Sequence, residues 1–164
     1  MDNYLGPRES WGFWMLEGTD REKRAALRER LEEAGLRPTW QRMKIGLWVY
    51  EPPTKHFTPE DLFREMQRER PGENSRAISL ATIYNTLNAF ADAGLLRIAT
   101  VRSGKRFYDT NTTRHYHLYA ENEPMGLVDI PKDLINVDFS EPLPDGYEVE
   151  DVIVTLRVKK LPAV

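Results

Sequence analysis

The sequence contains few histidines, and their spacing relative to two aspartates is the feature best suited to chemistry. Two of the three histidines stand as His115-Tyr116-His117. On a β-strand, residues i and i+2 point to the same side, so both imidazoles could reach one metal ion. Asp109 precedes this motif, Asp129 follows it, and His56 stands in a predicted loop before a helix. Three imidazoles and two carboxylates form a mixed nitrogen and oxygen donor set, which suits Fe(II), Mn(II), Zn(II) or Co(II).

The same residues have a simpler interpretation. A histidine is more often structural or solvated than a metal ligand, and the His-x-His motif leaves open whether His56 and Asp129 join it. Two histidines and a carboxylate could also serve a non-haem metal-dependent enzyme. No general base with a defined position accompanies the motif, so a role other than catalysis is favoured.

Four helices are predicted upstream of the motif, each from its apolar spacing and its end signals. They cover about Arg21 to Ala34, a stretch after Thr39 that Glu51-Pro52-Pro53 ends, a stretch from the cap Thr58 to about Arg70, and Leu80 to Ala93 after the cap Ser79. Two β-prone runs follow, Leu95 to Val101 and Arg106 to Asp109, around a Ser-Gly turn. Helices followed by a basic hairpin are typical of a winged helix-turn-helix.

Short strands are expected after the hairpin, at 115–120, 126–130 and 147–160, with a short helix at 131–137. The predicted fold class is therefore α/β of the α+β type, in which a winged helix-turn-helix precedes a C-terminal α+β domain. The predicted division is an N-terminal extension at 1–20, a winged-helix domain at 21–108 and an α+β domain at 109–164.

Composition and charge narrow the function classes. The chain has 164 residues and a formal net charge of -3, and 40% of its residues are hydrophobic, which is enough for a packed core. It has no cysteine, which rules out disulfides, Cys-ligated zinc, iron–sulfur clusters and a cysteine nucleophile. It has no apolar run long enough for a membrane span and no export signal, so a cytoplasmic protein is expected. Residues 21–105 carry a net charge of +5 and residues 106–164 a net charge of -5. This asymmetry favours a basic part that faces a polyanion and an acidic part that binds a metal or a partner.

The fourth predicted helix has the residue types of a DNA-reading helix. If its apolar positions are buried, its other side presents small hydrogen-bonding side chains, namely Ser79, Ala81, Thr82, Asn85 and Asn88, with Tyr84 at the border. Such side chains fit a major groove and meet base edges. Phosphate contacts could come from Arg37, Arg42, Arg102 and Lys105. The alternatives are an ordinary solvated helix face and an interaction module with no DNA role.

The motifs occur in a specific order along the chain: GLRPT-x-x-R at 35–42, HFTPEDL at 56–62, SLATIYNTL at 79–87, AGLL at 93–96 and HYH at 115–117. As a set they resemble the ferric uptake regulator family of metal-dependent transcriptional repressors, over roughly residues 25–160. The stretches ATIYNTLN at 81–88, YDTN at 108–111 and PDGYE at 144–148 look most like the iron-response regulator branch. The three histidines and two aspartates are similar to the ligand set of the peroxide-sensing branch, with Asp109 where plain iron regulators usually have Glu.

The resemblance implies a DNA-binding repressor of iron homeostasis or peroxide stress genes that is a homodimer and not an enzyme. It also implies that each subunit binds one divalent metal, Fe(II) or Mn(II), and that Zn(II) can bind in vitro. The ligands that it implies are His56, Asp109, His115, His117 and Asp129. Tyr84 and Asn85 match the family's base-reading pair, Arg37 matches a residue that can enter the minor groove, and residues 109–164 match the dimerisation and metal-sensing domain. The DNA partner would be an A·T-rich palindromic operator.

Two departures from the family pattern shape these expectations. The Cys-x-x-Cys pairs that hold structural zinc are missing, so the dimer is expected to be held by its strands and core alone. Arg114 and Tyr116 stand where many relatives have ligands of a second metal site, so no second site is expected. The Cys-Pro haem motif of some iron-response regulators is absent as well, although haem could still use the histidine cluster.

Overall fold

The computed structural model describes residues 14–52, 56–68, 77–101, 104–121, 126–149, 152–159 and 161, which form two compact units that divide between Thr113 and Arg114. The first unit contains α1 (Asp20–Glu33), α2 (Trp40–Val49), β1 (His56–Phe57), α3 (Pro59–Arg68), α4 (Leu80–Asp92), β2 (Arg97–Thr100) and β3 (Arg106–Asp109). The second unit contains β4 (Tyr116–Ala120), β5 (Leu127–Ile130), a 3-10 turn (Lys132–Leu134) and β6 (Thr155–Val158). This order of helices and strands confirms the predicted α+β fold class. Within these ranges, no helix has the length and apolar character needed to cross a membrane.

The helices of the first unit begin where a side chain can satisfy the free N–H groups of the first turn. The hydroxyls of Thr39 and Ser79 each accept a hydrogen bond from the backbone N–H three residues further on, at 3.4 and 3.1 Å. At the start of α3, the Thr58 hydroxyl accepts the N–H of Asp61, and the Asp61 carboxylate accepts the N–H of Thr58. These caps confirm the predicted starts of α2, α3 and α4.

One hydrophobic core joins these helices. All four helices contribute fully buried side chains to it, among them Leu27, Leu31, Ile45, Leu62, Ile83, Leu87 and Phe90, and β3 contributes Tyr108. Gly46 allows α1 and α2 to approach closely, because a Cβ at this position would lie 2.9 Å from both terminal carbons of Leu27. After α4, Gly94 adopts a φ of 72° and lets the Leu95 N–H return to the Phe90 carbonyl at 2.8 Å, which ends the helix and directs the chain towards β2.

The residues just before α1 pack on this core. Leu16 is 1% exposed, and its N–H donates to the carbonyl of Tyr50 at 2.8 Å. The Trp14 ring packs edge-on against the Tyr50 ring, with 4.9 Å between centroids, and the Arg30 guanidinium lies 4.8 Å above the Trp14 ring. Residues 14–19, which the sequence places in an N-terminal extension, thus contribute to the first unit. Trp11 lies outside the described residues.

The three strands of the first unit form an antiparallel sheet in the order β1-β3-β2. The register places both His56 of β1 and Arg97 of β2 opposite Asp109 of β3. The prediction that His56 lies in a loop is wrong, because the edge of β3 supplies a pairing partner that the local sequence does not reveal. Asp109 is the last residue of β3 and belongs to the first unit, so the predicted boundary after Tyr108 falls inside a paired strand.

The second unit is a sheet in the order β5-β4-β6, with β4 antiparallel to β5 and parallel to β6. His117 of β4 lies opposite Asp129 of β5, and its N–H donates to the carbonyl of Val154 at 3.0 Å. The strands predicted near 115–120 and 126–130 are confirmed. Of the strand predicted over 147–160, the described residues form only β6, whose register partners on β4 extend from His117 to Ala120. The helix predicted over 131–137 is a single 3-10 turn.

Candidate functional site

Three of the predicted metal ligands lie together in the second unit. The Nε2 atoms of His115 and His117 are 2.9 Å apart, and Asp129 Oδ1 lies 3.1 Å from the first and 3.6 Å from the second. The strands explain this arrangement, because His115 and His117 are two residues apart at the start of β4 and Asp129 is the register partner of His117 on β5. Both imidazoles are 6% exposed and the Asp129 side chain is 30% exposed, so the cluster is largely shielded from solvent.

The separations of these three donors fit a metal ion. Imidazole nitrogens and carboxylate oxygens bind Zn(II) at about 2.1 Å, which separates neighbouring donors by roughly 3.0 Å in an octahedron and roughly 3.4 Å in a tetrahedron. The observed separations of 2.9, 3.1 and 3.6 Å lie around these values. A donor set of nitrogen and oxygen without thiolate suits Fe(II), Mn(II) or Zn(II). To bind an ion, each imidazole must present an unprotonated nitrogen to the cluster, so metal affinity falls as the histidines become protonated.

The other two predicted ligands lie together in the first unit. His56 Nε2 is 3.6 Å from Asp109 Oδ2, because the two residues are register partners across β1 and β3. The Asp109 side chain is fully buried and the His56 side chain is 13% exposed. Burying a carboxylate is costly unless it has partners, and Asp109 Oδ1 also accepts the backbone N–H of Asn111 at 2.7 Å. The pair is thus a second preformed group of one imidazole and one carboxylate.

Hydrogen bonds continue from this pair to the end of the first unit. The side-chain oxygen of Asn111 accepts both the N–H and the hydroxyl of Thr113, at 3.1 and 2.6 Å. The Arg97 guanidinium donates to the Thr113 carbonyl at 3.1 Å. These hydrogen bonds therefore hold the last residues of the first unit, Asp109 to Thr113, in position. Sequence reasoning missed this feature, although Asp and Asn two residues apart are a recognisable signal for side-chain-capped turns.

The face of α4 predicted to read DNA carries polar side chains at its N-terminal end. Ser79 Oγ lies 2.9 Å from Thr82 Oγ1, and Asn85 is exposed. Tyr84 is 37% exposed, and its hydroxyl donates to Glu60 Oε1 of α3 at 2.5 Å. This hydrogen bond raises the pKa of Tyr84 and lowers the pKa of Glu60. No local signal in the sequence predicts the contact of Glu60 with α4.

One residue expected on that face has another role. Asn88 is half-buried, and its side-chain oxygen accepts the hydroxyl of Tyr108 of β3 at 2.5 Å. The side-chain oxygen of Asn88, which the sequence predicts to face a ligand, is therefore already engaged by the sheet. Asn88 instead ties α4 to β3.

The predicted phosphate-contacting residues differ in their surroundings. Arg37 is exposed, whereas the Arg42 guanidinium donates to the Arg37 carbonyl at 2.9 Å and so also holds the loop before α2. Lys105 is exposed, and its ammonium lies 4.8 Å above the Phe107 ring. Arg102 lies outside the described residues. Three of the four cations therefore lie on the described part of the first unit.

Comparison with known proteins shows which family this sequence matches. The sequence profile of the Ferric uptake regulator family matches residues 33–156. A curated relative, the peroxide-responsive repressor PerR of Staphylococcus aureus, is 34% identical over 91 residues, which cover 56% of this chain and 57% of the relative. The chain thus matches little more than half the length of that relative.

Solved structures show the same fold. The ferric uptake regulator Fur of Vibrio cholerae has a TM-score of 0.63 and 24% sequence identity, covering 81% of this chain and 98% of its own. The Fur of Pseudomonas aeruginosa, solved with manganese, has a TM-score of 0.59 and 21% identity, covering 82% and 97%. At these identities the comparison shows the architecture, and the chemistry must be argued from the residues of this chain.

Proposed function

This chain belongs to the ferric uptake regulator family, and from that premise we propose that it is a metal-responsive, DNA-binding transcriptional repressor of iron homeostasis or peroxide stress genes. The observation that carries the proposal is the cluster of His115, His117 and Asp129, whose donor separations suit a metal ion. Family membership disfavours the alternative of a non-haem metal enzyme. In this proposal, the protein acts in the cytoplasm, where its DNA partner is found.

The proposed regulatory site uses donors from both units. His115, His117 and Asp129 would bind one divalent ion together with His56 and Asp109, at one ion per subunit. When bound, the metal would supply coordinate bonds that favour one arrangement of the two units over others. A ligand shifts a conformational equilibrium only by its difference in affinity between the states, so donors from both units are what would make the ion regulatory. Fe(II) and Mn(II) are the proposed metals, Zn(II) could occupy the same donors in vitro, and haem could use the histidine cluster.

The proposed DNA contacts come from the first unit. Ser79, Thr82, Tyr84 and Asn85 lie on α4, a helix of the length and polarity that enters a major groove. Asn85 is exposed and can form two hydrogen bonds to an adenine edge. The cations Arg37, Arg42, Arg102 and Lys105 would contact phosphates or the minor groove, which positions the helix without reading sequence.

The proposed assembly is a homodimer on an A·T-rich palindrome. The second unit exposes large apolar side chains at Leu134, Phe139, Tyr147, Ile153 and Leu161, which are 59–76% exposed in the isolated chain. Exposed apolar side chains of this size support the proposal that this unit contacts another chain. A two-fold symmetric dimer would present two α4 helices to two half-sites, which accounts for the palindrome.

The test combines metal analysis with DNA binding. The wild-type chain, stripped of metal, is titrated with Mn(II) by calorimetry, and band shifts are run on A·T-rich palindromic duplexes with and without Mn(II). His115→Ala and His117→Ala should each reduce both metal affinity and metal-dependent DNA binding. Tyr116→Phe, a change between the two ligands, is the matched control and should reduce neither. If the two alanine variants behave like the control, the proposed function is wrong.

Peroxide separates the two proposed gene classes. A peroxide-responsive repressor loaded with Fe(II) should lose DNA binding on exposure to hydrogen peroxide, with mass added to a peptide that holds His56 or His115 to His117. The Mn(II)-loaded protein should resist. An iron or manganese sensor without peroxide chemistry should keep its histidine peptides unmodified while its methionines oxidise.

A further inference from the structure

Tyr84 and Glu60 form a contact between the predicted DNA-reading helix and its neighbour. The Tyr84 hydroxyl on α4 donates to Glu60 Oε1 on α3 at 2.5 Å, across 24 residues of sequence. A phenol has one proton to donate. While that proton is bonded to Glu60, the Tyr84 hydroxyl cannot donate to a DNA phosphate.

Glu60 is held in position by the start of its helix. Pro59 is buried, and Thr58 and Asp61 form a reciprocal cap on either side of Glu60. A carboxylate in the first turn is also favoured by the partial positive charge of the helix N-terminus. Glu60 therefore stays ionised and close to Tyr84, and the hydrogen bond between them lowers its pKa further.

A fixed carboxylate has a second effect on a surface that meets a polyanion. A phosphate close enough to accept a hydrogen bond from Tyr84 would also lie near the charge of Glu60, and like charges repel. The Tyr84 ring remains 37% exposed and carries no charge. It can therefore contact a base, for which Glu60 imposes neither competition nor repulsion.

We infer that Glu60 is a specificity-determining residue, because it withholds the Tyr84 hydroxyl from DNA phosphates and reserves the Tyr84 ring for bases. The inference rests on the proposed function, in which α4 reads DNA. It predicts that removing Glu60 strengthens binding to scrambled DNA more than binding to a preferred sequence, and so weakens discrimination between sequences.

The first test needs no DNA. Tyrosine ring-carbon NMR signals of the full chain are followed against pH, and the Tyr84 signal is assigned by its loss in Tyr84→Phe. The charged groups around this hydroxyl are Glu60, Arg106 and Tyr108. The hydrogen bond to Glu60 raises the pKa of Tyr84, so Tyr84 should ionise at lower pH in Glu60→Ala than in wild type. An unchanged Tyr84 titration in Glu60→Ala would overturn the inference.

The second test compares two duplexes in the presence of Mn(II). One is an A·T-rich palindrome enriched from a random pool by the Mn(II)-loaded wild type, and the other is a scrambled duplex of the same composition. Glu60→Ala should bind the scrambled duplex about tenfold more tightly through the freed hydroxyl, since one hydrogen bond to a charged phosphate contributes at least about that ratio. The lost carboxylate charge should strengthen binding further. Adding Tyr84→Phe to Glu60→Ala should remove the part due to the hydroxyl. Glu60→Gln keeps an acceptor for the Tyr84 hydroxyl and removes the charge. It should strengthen binding to both duplexes equally and retain discrimination between them.

Glu65→Ala is the matched control, because Glu65 lies on the same helix and is paired with Arg68 at 2.6 Å. If Glu60→Ala and Glu65→Ala strengthen scrambled binding equally, or if Tyr84→Phe has no effect in the Glu60→Ala background, Glu60 acts as a general surface charge and the inference is wrong. A wild type that binds both duplexes equally would overturn the proposed function, and the inference with it.

Discussion

Tyr50 joins three parts of the first unit, and replacing it with phenylalanine should cost stability in a way that can be calculated. Its hydroxyl donates to the Leu95 carbonyl at 2.8 Å in the turn after α4, and its own carbonyl accepts the Leu16 N–H at 2.8 Å. Its ring packs against Trp14 and Phe90, with centroid distances of 4.9 and 6.3 Å. Tyr50→Phe keeps the ring and the backbone contact and removes one buried hydrogen bond.

The magnitude follows from what is left behind. Tyr50 is 2% exposed and Leu95 is 1% exposed, so water cannot replace the lost donor. Leaving a buried carbonyl unsatisfied costs about 1–3 kcal/mol, and removing the buried phenol oxygen returns part of its own desolvation cost. We expect a loss of about 1–2 kcal/mol, which lowers the Tm of a unit of this size by about 5–10 °C.

The pH dependence supplies an independent check on the same group. Burial raises the pKa of the Tyr50 phenol well above its usual value near 10. Between the unfolded and the folded pKa, the unfolded chain binds fewer protons, so stability falls as pH rises. Tyr50→Phe removes this contribution. Above pH 10, the stability advantage of wild type over the variant should therefore shrink by about 1.4 kcal/mol per pH unit.

Thermal and urea unfolding, followed by tryptophan fluorescence, measure both effects. Tyr147→Phe is the matched control, because Tyr147 is 75% exposed and should lose less than about 0.5 kcal/mol. A Tyr50→Phe variant as stable as this control, or one whose gap to wild type is constant above pH 10, would refute the reasoning.

Three further predictions concern packing, DNA and assembly. Gly46→Ala should destabilise by about 1 kcal/mol in urea unfolding, since crowding of Leu27 by the new methyl group outweighs the gain in helix propensity; increased stability would contradict this. Arg37→Ala should weaken binding to enriched and scrambled duplexes alike and reduce the salt dependence, whereas Asn85→Ala should lose about 1–3 kcal/mol of discrimination at one base pair. Equal effects of Asn85→Ala on both duplexes would exclude base reading. After exhaustive chelation, sedimentation should still show a dimer, because the sequence has no cysteines for structural zinc; a monomer would mean that the regulatory metal is also structural.

The sequence predicted the features that local chemistry determines. Thr39, Thr58 and Ser79 mark helix starts because each cap acts within four residues of its own position. The pairing of His115 with His117 follows from strand geometry, and the α+β class follows from the order of helical and strand patterns. These inferences need no knowledge of distant contacts.

Tertiary contacts decide what the sequence did not predict. β1 is a strand of two residues that exists only because the edge of β3 pairs with it, and two residues have no periodicity to recognise. The helical spacing of α4 places Asn88 on the polar face, but its side-chain oxygen accepts a hydrogen bond from the Tyr108 hydroxyl of β3. The contact between Glu60 and Tyr84 spans two helices and carries no local signal.

The proposed metal ligands form two groups, and each group is held in place by the strands of its own unit. Pairing of β4 with β5 sets His117 opposite Asp129, and pairing of β1 with β3 sets His56 opposite Asp109. An ion bound by the second unit alone would have the same affinity in every arrangement of the units and could regulate nothing.

His56→Ala should therefore retain Mn(II) at reduced affinity through the donors of the second unit, while DNA binding loses its dependence on Mn(II). His117→Ala should lose most of both, since it removes a donor from the group of three. Calorimetry with Mn(II) and band shifts on the enriched duplex measure the two properties on the same preparations. If His56→Ala keeps the wild-type ratio of DNA affinities with and without Mn(II), the first unit contributes no regulatory ligand, and the proposed coupling through the metal is wrong.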